Sequence, residues 1–264
     1  MYLLLTLIVM TLILLVVLWY MIRPSQVLSE PFLFDVKTAK QCVMNNCYLH
    51  RLLMIEIIAS QTNSQINSTR EDISTPSTPS TANEPGELDS DTLTFNKITS
   101  GVRQLGRSLI RTFGSTVSQR IMSLVLRRNT IMRDYYRFLS HIKNSSALRS
   151  HLSTEPRING DDLSLHFSET TATTLRKLES VTREIIDTIA ASSQLKEIRP
   201  ITHYQRLFNL LVMYDKELIN QAKAYVCGQY DISMNCSQSS LEITVHIADE
   251  LNVIMENSYR STLR

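Results

Sequence analysis

Hydrophobic positions in this chain form one unbroken block followed by a series of helical stripes. Residues 1–22, MYLLLTLIVMTLILLVVLWYMI, carry no charge, no Gly and no Pro. At 1.5 Å per residue such a helix spans roughly 30 Å, the thickness of a bilayer's hydrocarbon core. Tyr2 at one end and Trp19 and Tyr20 at the other stand where amphipathic rings prefer the headgroup level, and Arg23 closes the run. The block is therefore expected to be an uncleaved transmembrane signal anchor, with Tyr2, Trp19, Tyr20 and Arg23 at the membrane interface. A removable signal peptide would show basic residues first, a shorter apolar stretch and small residues before the cut. None of these occurs here.

Beyond the block the period changes. Residues 23–61 are expected to hold a juxtamembrane helix, with Val36, Ala39, Val43, Cys47 and the run Leu52–Ile58 recurring at spacings of three and four. That face is too apolar to be solvated, so the helix docks on the later domain or meets a second copy or another membrane protein. Residues 62–96 are rich in Ser, Thr, Pro and Asn, include the tandem STPSTPST and hold almost no large apolar residue before Leu93. Such a segment cannot offset the entropy of ordering, and it is expected to be a disordered acidic linker.

Residues 97–264 read as a helical bundle. Ile98, Val102, Leu105, Leu109, Phe113, Val117, Leu124, Ile131, Tyr135, Phe138 and Ile142 project to one face, with interruptions expected at Gly114-Ser115 and Asn129-Thr130. Arg120 and Arg127 project onto the apolar side. A loop at Pro156–Asp162 precedes a helix that Ser168 caps, with Leu175, Leu178, Val181, Ile185 and Ile189 inward. Pro200 opens the next helix, which buries Leu207, Leu211, Leu218, Ala222 and Tyr225 and stops at Gly228. Ser239 or Ser240 caps the last, with Leu241, Val245, Ala248, Leu251 and Ile254 inward. Strand alternation is missing. The expected class is all-α: an N-terminal transmembrane helix, a disordered linker and a bundle of about four or five helices.

Charge sharpens the picture. Near the anchor the basic residues Arg23, Lys37 and Lys40 all follow it, which favours a cytosolic C-terminal domain over a luminal or extracellular one. In the linker Arg70 stands against six acids, whereas in residues 97–143 ten basic residues stand against the single acid Asp134. Arg103, Arg107 and Arg111 repeat every fourth residue and form the expected partner surface. An anionic lipid surface suits such a segment. Nucleic acid is less favoured, because stacking aromatics are limited to Phe113, Tyr135, Tyr136 and Phe138. The acidic linker itself is a further competitor for it.

Candidate chemistry is sparse. Gly101–Ser108 imitates a phosphate-binding loop, but Arg107 replaces its lysine and no parallel strand precedes it. On the apolar face, Gly106 instead suits the close approach of a neighbouring helix. Cys42, Cys47, Cys227 and Cys236 could pair as disulfides in an oxidising compartment or remain buried thiols in the cytosol, and their spacings suit zinc poorly. The histidines form no metal-ligand grouping, and no nucleophile motif occurs. The sequence therefore implies no catalytic residue, metal or cofactor. It implies a membrane-integral scaffold or recruitment protein that works through a protein partner or self-association.

The uncharged N-terminal run followed at once by Arg23 resembles the inner-nuclear-membrane sorting signal of baculovirus occlusion-derived envelope proteins. Over residues 1 to about 40, that resemblance implies an alternative role as a viral envelope structural protein.

Overall fold

The structure, a computed structural model, describes residues 28–71, 90–144, 160–192 and 199–262. Six helices make up these residues, and no strand occurs among them: α1 (Glu30–Glu71), α2 (Ser90–Phe113), α3 (Ser115–Asn144), α4 (Gly160–Ser192), α5 (Arg199–Val226) and α6 (Tyr230–Thr262). The chain divides into two compact units, Met1–Phe34 and Asp35–Arg264. The anchor block lies outside the described residues. Among those described, no helix is long and apolar enough to cross a membrane.

The stripe read across residues 97–143 is the buried face of two helices. Ile98, Val102, Leu109 and Phe113 of α2 and Leu124, Tyr135 and Ile142 of α3 are all buried. Between the helices stands Gly114, whose φ of 81° belongs to the left-handed region. Its amide still donates to the Ile110 carbonyl at 2.8 Å and its carbonyl accepts from Ser118 at 3.1 Å, so the chain turns without losing backbone hydrogen bonds. Asn129-Thr130 interrupts nothing. The Thr130 hydroxyl bonds the Leu126 carbonyl at 3.1 Å and α3 continues, because the Asn129 side chain has a buried partner. Gly106 brings α2 close to α3 as its position suggested, with Met122 atoms 3.3 Å from where a Cβ would stand.

Three boundaries differ from the sequence reading. α1 runs to Glu71 and α2 starts at Ser90, so both ends of the 62–96 segment are helical; residues 72–89 lie outside the described ones. α4 starts at Gly160 rather than at Ser168, which is an exposed residue within the helix. The third difference has the largest consequence. Gly228, at φ 73°, ends α5 as expected, with Gln229 N–H returning to the Ala224 carbonyl at 2.9 Å. α6 then begins at once, at Tyr230, and Ser239 and Ser240 lie in its interior.

The buried face of α6 carries Ser233, Ser237, Ser240, Thr244 and Ala248 at helical spacing. These small side chains satisfy themselves locally: Ser240 donates to the Ser237 carbonyl at 2.8 Å and Thr244 to the Ser240 carbonyl at 2.7 Å. Ser233 reaches across to the Gln221 carbonyl of α5 at 3.1 Å. Small residues let two helix backbones approach, and α5 and α6 form the most closely packed pair of the bundle. As a result Leu241 and Val245, expected inward, are 49% and 36% exposed. Ala248, Leu251 and Ile254 are buried as expected.

From Asp35 onward α1 packs on the bundle through side chains. Leu53, Met54, Ile57 and Ile58 are buried. Lys40 pairs with Asp249 of α6 at 2.8 Å, and Asp35 with Arg111 of α2 at 3.1 Å. Docking on its own bundle, one of the readings of this helix, is seen in these contacts.

Two glycines should respond to substitution with opposite signs. Gly114→Ala places a Cβ at positive φ and should cost about 1–2 kcal/mol. Gly101→Ala, in mid-helix with nothing within 4 Å of the new Cβ, should gain about 0.5–1 kcal/mol. Urea unfolding followed by helical circular dichroism checks both.

Candidate functional site

The most unusual chemistry lies in the middle of α3. Leu124, Arg128, Met132 and Tyr135 share its inward face, so a guanidinium occupies a core position and Arg128 is only 5% exposed. Its partner is Asp215 on the inward face of α5, 2% exposed. Arg128 Nε donates to Asp215 Oδ2 at 3.2 Å, and Nη2 donates to Oδ1, giving the bidentate fork that suits a carboxylate. The guanidinium also lies over the Tyr214 ring, 5.2 Å from its centroid.

Burial opposes both charges. On Arg128 burial is the largest single effect and lowers the pKa, but the Asp215 carboxylate together with Tyr214 and Tyr136 outweighs it and leaves the pKa above the ordinary value. On Asp215 burial is the larger effect and lifts the carboxyl, while Arg128 pulls it back. Guanidinium keeps its proton in proteins, so the pair is held as a neutral ionised unit.

A second layer joins α1 to this pair. The buried His50 ring places Nε2 3.0 Å from Asn129 Oδ1, and it meets Tyr136 edge-on at 6.5 Å between centroids. An amide oxygen only accepts, so the His50 Nε2–H is the donor. Burial lowers the His50 pKa from 6.5 to about 4, the Asn129 bond partly opposes that shift, and the Arg128 charge adds to it. Burial also raises the Tyr136 and Tyr214 phenols well above their ordinary value. His50 Nδ1 and the Tyr136 hydroxyl are buried without a hydrogen-bond partner among the described residues, and the Tyr214 hydroxyl has the Cys47 thiol as its neighbour, which adds to the rise of its pKa. At neutral pH this cluster holds a fixed ion pair and neutral rings, and it can orient hydrogen bonds to an acceptor. Its histidine and phenols are tuned away from proton exchange near pH 7.

Beside the pair lies a cavity of about 100 Å³. All six helices wall it, among them Val43 of α1, Leu105 of α2, Ile121 of α3, Ile185 of α4, Leu211 of α5 and Ile247 of α6. Arg128 and Tyr214 form part of the same wall, with Asn46 and Thr244 as further polar members.

The residues singled out from sequence fall elsewhere. Arg103 and Arg107 are exposed, and among the described residues neither has an ion-pair partner. Arg111 belongs to the pair with Asp35, so the three arginines are not equivalent. Much of the remaining basic charge is engaged within the fold. Arg120 and Arg127 share Glu184 of α4 at 3.2 and 3.4 Å, Arg137 meets Asp91 at 2.9 Å, and Arg133 stacks 3.9 Å from the Phe95 ring centroid. Arg120 and Arg127 are therefore exposed residues reaching across to α4, and Arg128 is the buried one.

The four cysteines are free, with Cys42 and Cys47 buried. Burial raises the Cys42 and Cys236 thiols, which keeps them protonated and weakly nucleophilic. Tyr2, Trp19, Tyr20 and Arg23 lie outside the described residues. Among the described residues no three His, Cys, Asp or Glu side chains gather as a metal site.

Set against known proteins, this chain matches no protein family, no curated protein and no solved structure.

Two outcomes test the cluster. Asp215→Leu alone leaves Arg128 buried and unpaired and should cost about 3–5 kcal/mol. Joining Arg128→Met to it should recover most of that loss, a non-additivity that a double-mutant cycle in urea would read. His50 generates a pH dependence. Its folded pKa lies below the unfolded one, so only the unfolded chain binds the proton between them, and stability falls as pH drops from 6.5 towards about 4. The loss should reach roughly 3 kcal/mol, at 1.36 kcal/mol per pH unit. His50→Gln should flatten the slope over that window.

Proposed function

We propose that this protein is a single-pass, membrane-anchored helical scaffold that recruits a protein partner or a second copy through its bundle, without catalysis of its own. The observation that carries the reading is the uncharged apolar run of residues 1–22, bounded by Tyr2 and by Trp19, Tyr20 and Arg23. Residues Arg23, Lys37 and Lys40 favour a bundle on the cytosolic side.

A contact surface is supported by α6. Tyr230, Met234, Leu241 and Val245 recur along one side of the helix and are exposed, Met234 to 58%. Scattered surface apolar residues are ordinary, but an aligned set on one helix suits a protein contact. Arg51 of α1 lies 3.8 Å from the Met234 sulfur, which gives this stripe a cationic rim. A second reading, contact with an anionic lipid surface, draws on Arg103 and Arg107, the members of the arginine series without an ion-pair partner among the described residues.

Protease treatment of closed vesicles carrying the full chain tests topology and anchoring together. Resistance to carbonate extraction, an intact mass retaining residues 1–22, and a bundle open to protease from the cytosolic side are expected. Release by carbonate would overturn the anchor, and protection of the bundle would overturn the orientation. For the contact stripe, Met234→Glu with Leu241→Glu should leave the helical signal unchanged and abolish concentration-dependent self-association or partner capture.

A further inference from the structure

We propose that the edge shared by α1 and α6 is the interface between two copies of this chain, related by a two-fold axis that runs along the helices. The inference deepens the reading of an anchored scaffold, and it rests on that reading for the direction of the axis.

α1 and α6 run antiparallel, tied by the Lys40–Asp249 pair at 2.8 Å towards one end and by Arg51 against the Met234 sulfur at 3.8 Å towards the other. Between these ties the two helices approach too loosely to close the seam. On α1, Lys37, Lys40, Met44, Tyr48, Arg51 and Ile55 recur at spacings of three and four and so share one side of the helix. Tyr48 is 62% exposed there. On α6 the exposed Met234, Leu241 and Val245 line the other bank of the seam. Tyr and Met are residue types that protein interfaces favour.

Charge selects the occupant. The α1 bank carries Lys37, Lys40 and Arg51 and no acid, whereas Asp231, Glu242 and Asp249 flank the apolar stripe of α6. Among the described residues Lys37, Arg51, Asp231 and Glu242 have no ion-pair partner. A surface that is basic on one bank and acidic on the other complements itself after a half-turn about an axis between the banks, which is the requirement of an isologous contact. α1 of each copy then lies against α6 of the other. A half-turn about that axis keeps height along the helices, so Arg51, level with Met234 in its own chain, comes within a helical turn of Asp231 of the second copy. A partner of one charge sign would satisfy one bank and oppose the other. The axis also keeps the two copies of α1 parallel, so both chains enter from the same end, as anchoring in one membrane requires. An axis across the helices would set base against base and reverse one copy.

The test uses two differently tagged copies of the full chain in detergent micelles, read by sedimentation equilibrium and by co-purification of the tags. The wild type should dimerise. Arg51→Glu and Asp231→Arg should each weaken the dimer roughly tenfold, because each sets like charges together at both symmetric contacts. An equimolar mixture of the two variants should recover the wild-type affinity, since every reversed residue then meets its opposite. Helical circular dichroism should be unchanged in both, and Tyr48→Asp, at an exposed position, takes the place of Arg51→Glu as the dimer-breaking variant should that one lose helicity.

A monomeric wild type, an undiminished dimer in either folded charge variant, or a mixture no stronger than its components would overturn the interface. A monomer that still resists carbonate extraction overturns this dimer and leaves the anchored scaffold standing. Release by carbonate overturns the anchor, and with it the argument for the axis.

Discussion

The pairing of Arg128 with Asp215 in the interior constrains everything packed around it. Removing two charges from water costs several kcal/mol per ion, and only close, well-formed hydrogen bonds compensate. The fork between α3 and α5 therefore fixes how those helices rotate toward each other, because any turn that moves the guanidinium out of the carboxylate plane exposes that cost. Tyr214 lies against the guanidinium, and Tyr136 and the His50–Asn129 pair extend the polar layer to α1. A helix that shares few close backbone approaches with the bundle is thereby placed by a specific buried contact as well as by Leu53, Met54, Ile57 and Ile58.

Pairing within the fold also sets the character of the basic segment. Read as a line of residues, it presents ten positive charges. Folded, one of them is neutralised in the core, two share Glu184, one meets Asp91, one meets Asp35 and one stacks on Phe95. The field that remains for an acidic partner is smaller than composition implies, and among the described residues Lys97, Arg103 and Arg107 are its exposed members without an ion-pair partner.

How much was legible in the sequence follows from the type of signal. Large apolar residues at helical spacing located the cores of α2 to α5, and Gly114 and Gly228 marked two real turns because positive φ has few other occupants. α6 was displaced because its buried face is built of Ser, Thr and Ala, residues that a hydrophobic pattern reads as polar, so Leu241 and Val245 were turned inward in their place. The buried arginine was missed for a related reason. One projection carried across residues 97–143 ignores the change of phase at Gly114, and it put Arg120 and Arg127 on the apolar side instead of Arg128. Taken from Ser115 onward, the spacing Leu124, Arg128, Met132, Tyr135 was the available signal. Asp215, the cavity and the pairing across 87 positions had no local signature.

Glu184 offers a mechanical consequence. Its two carboxylate oxygens hold Arg120 and Arg127, two helical turns apart along α3. Neither exposed pair adds much to stability, yet the arrangement acts as a detent. Sliding α3 along α4 in either direction stretches one arm of the bracket while slackening the other, so the two helices have a preferred axial setting even where their apolar contacts would tolerate creep.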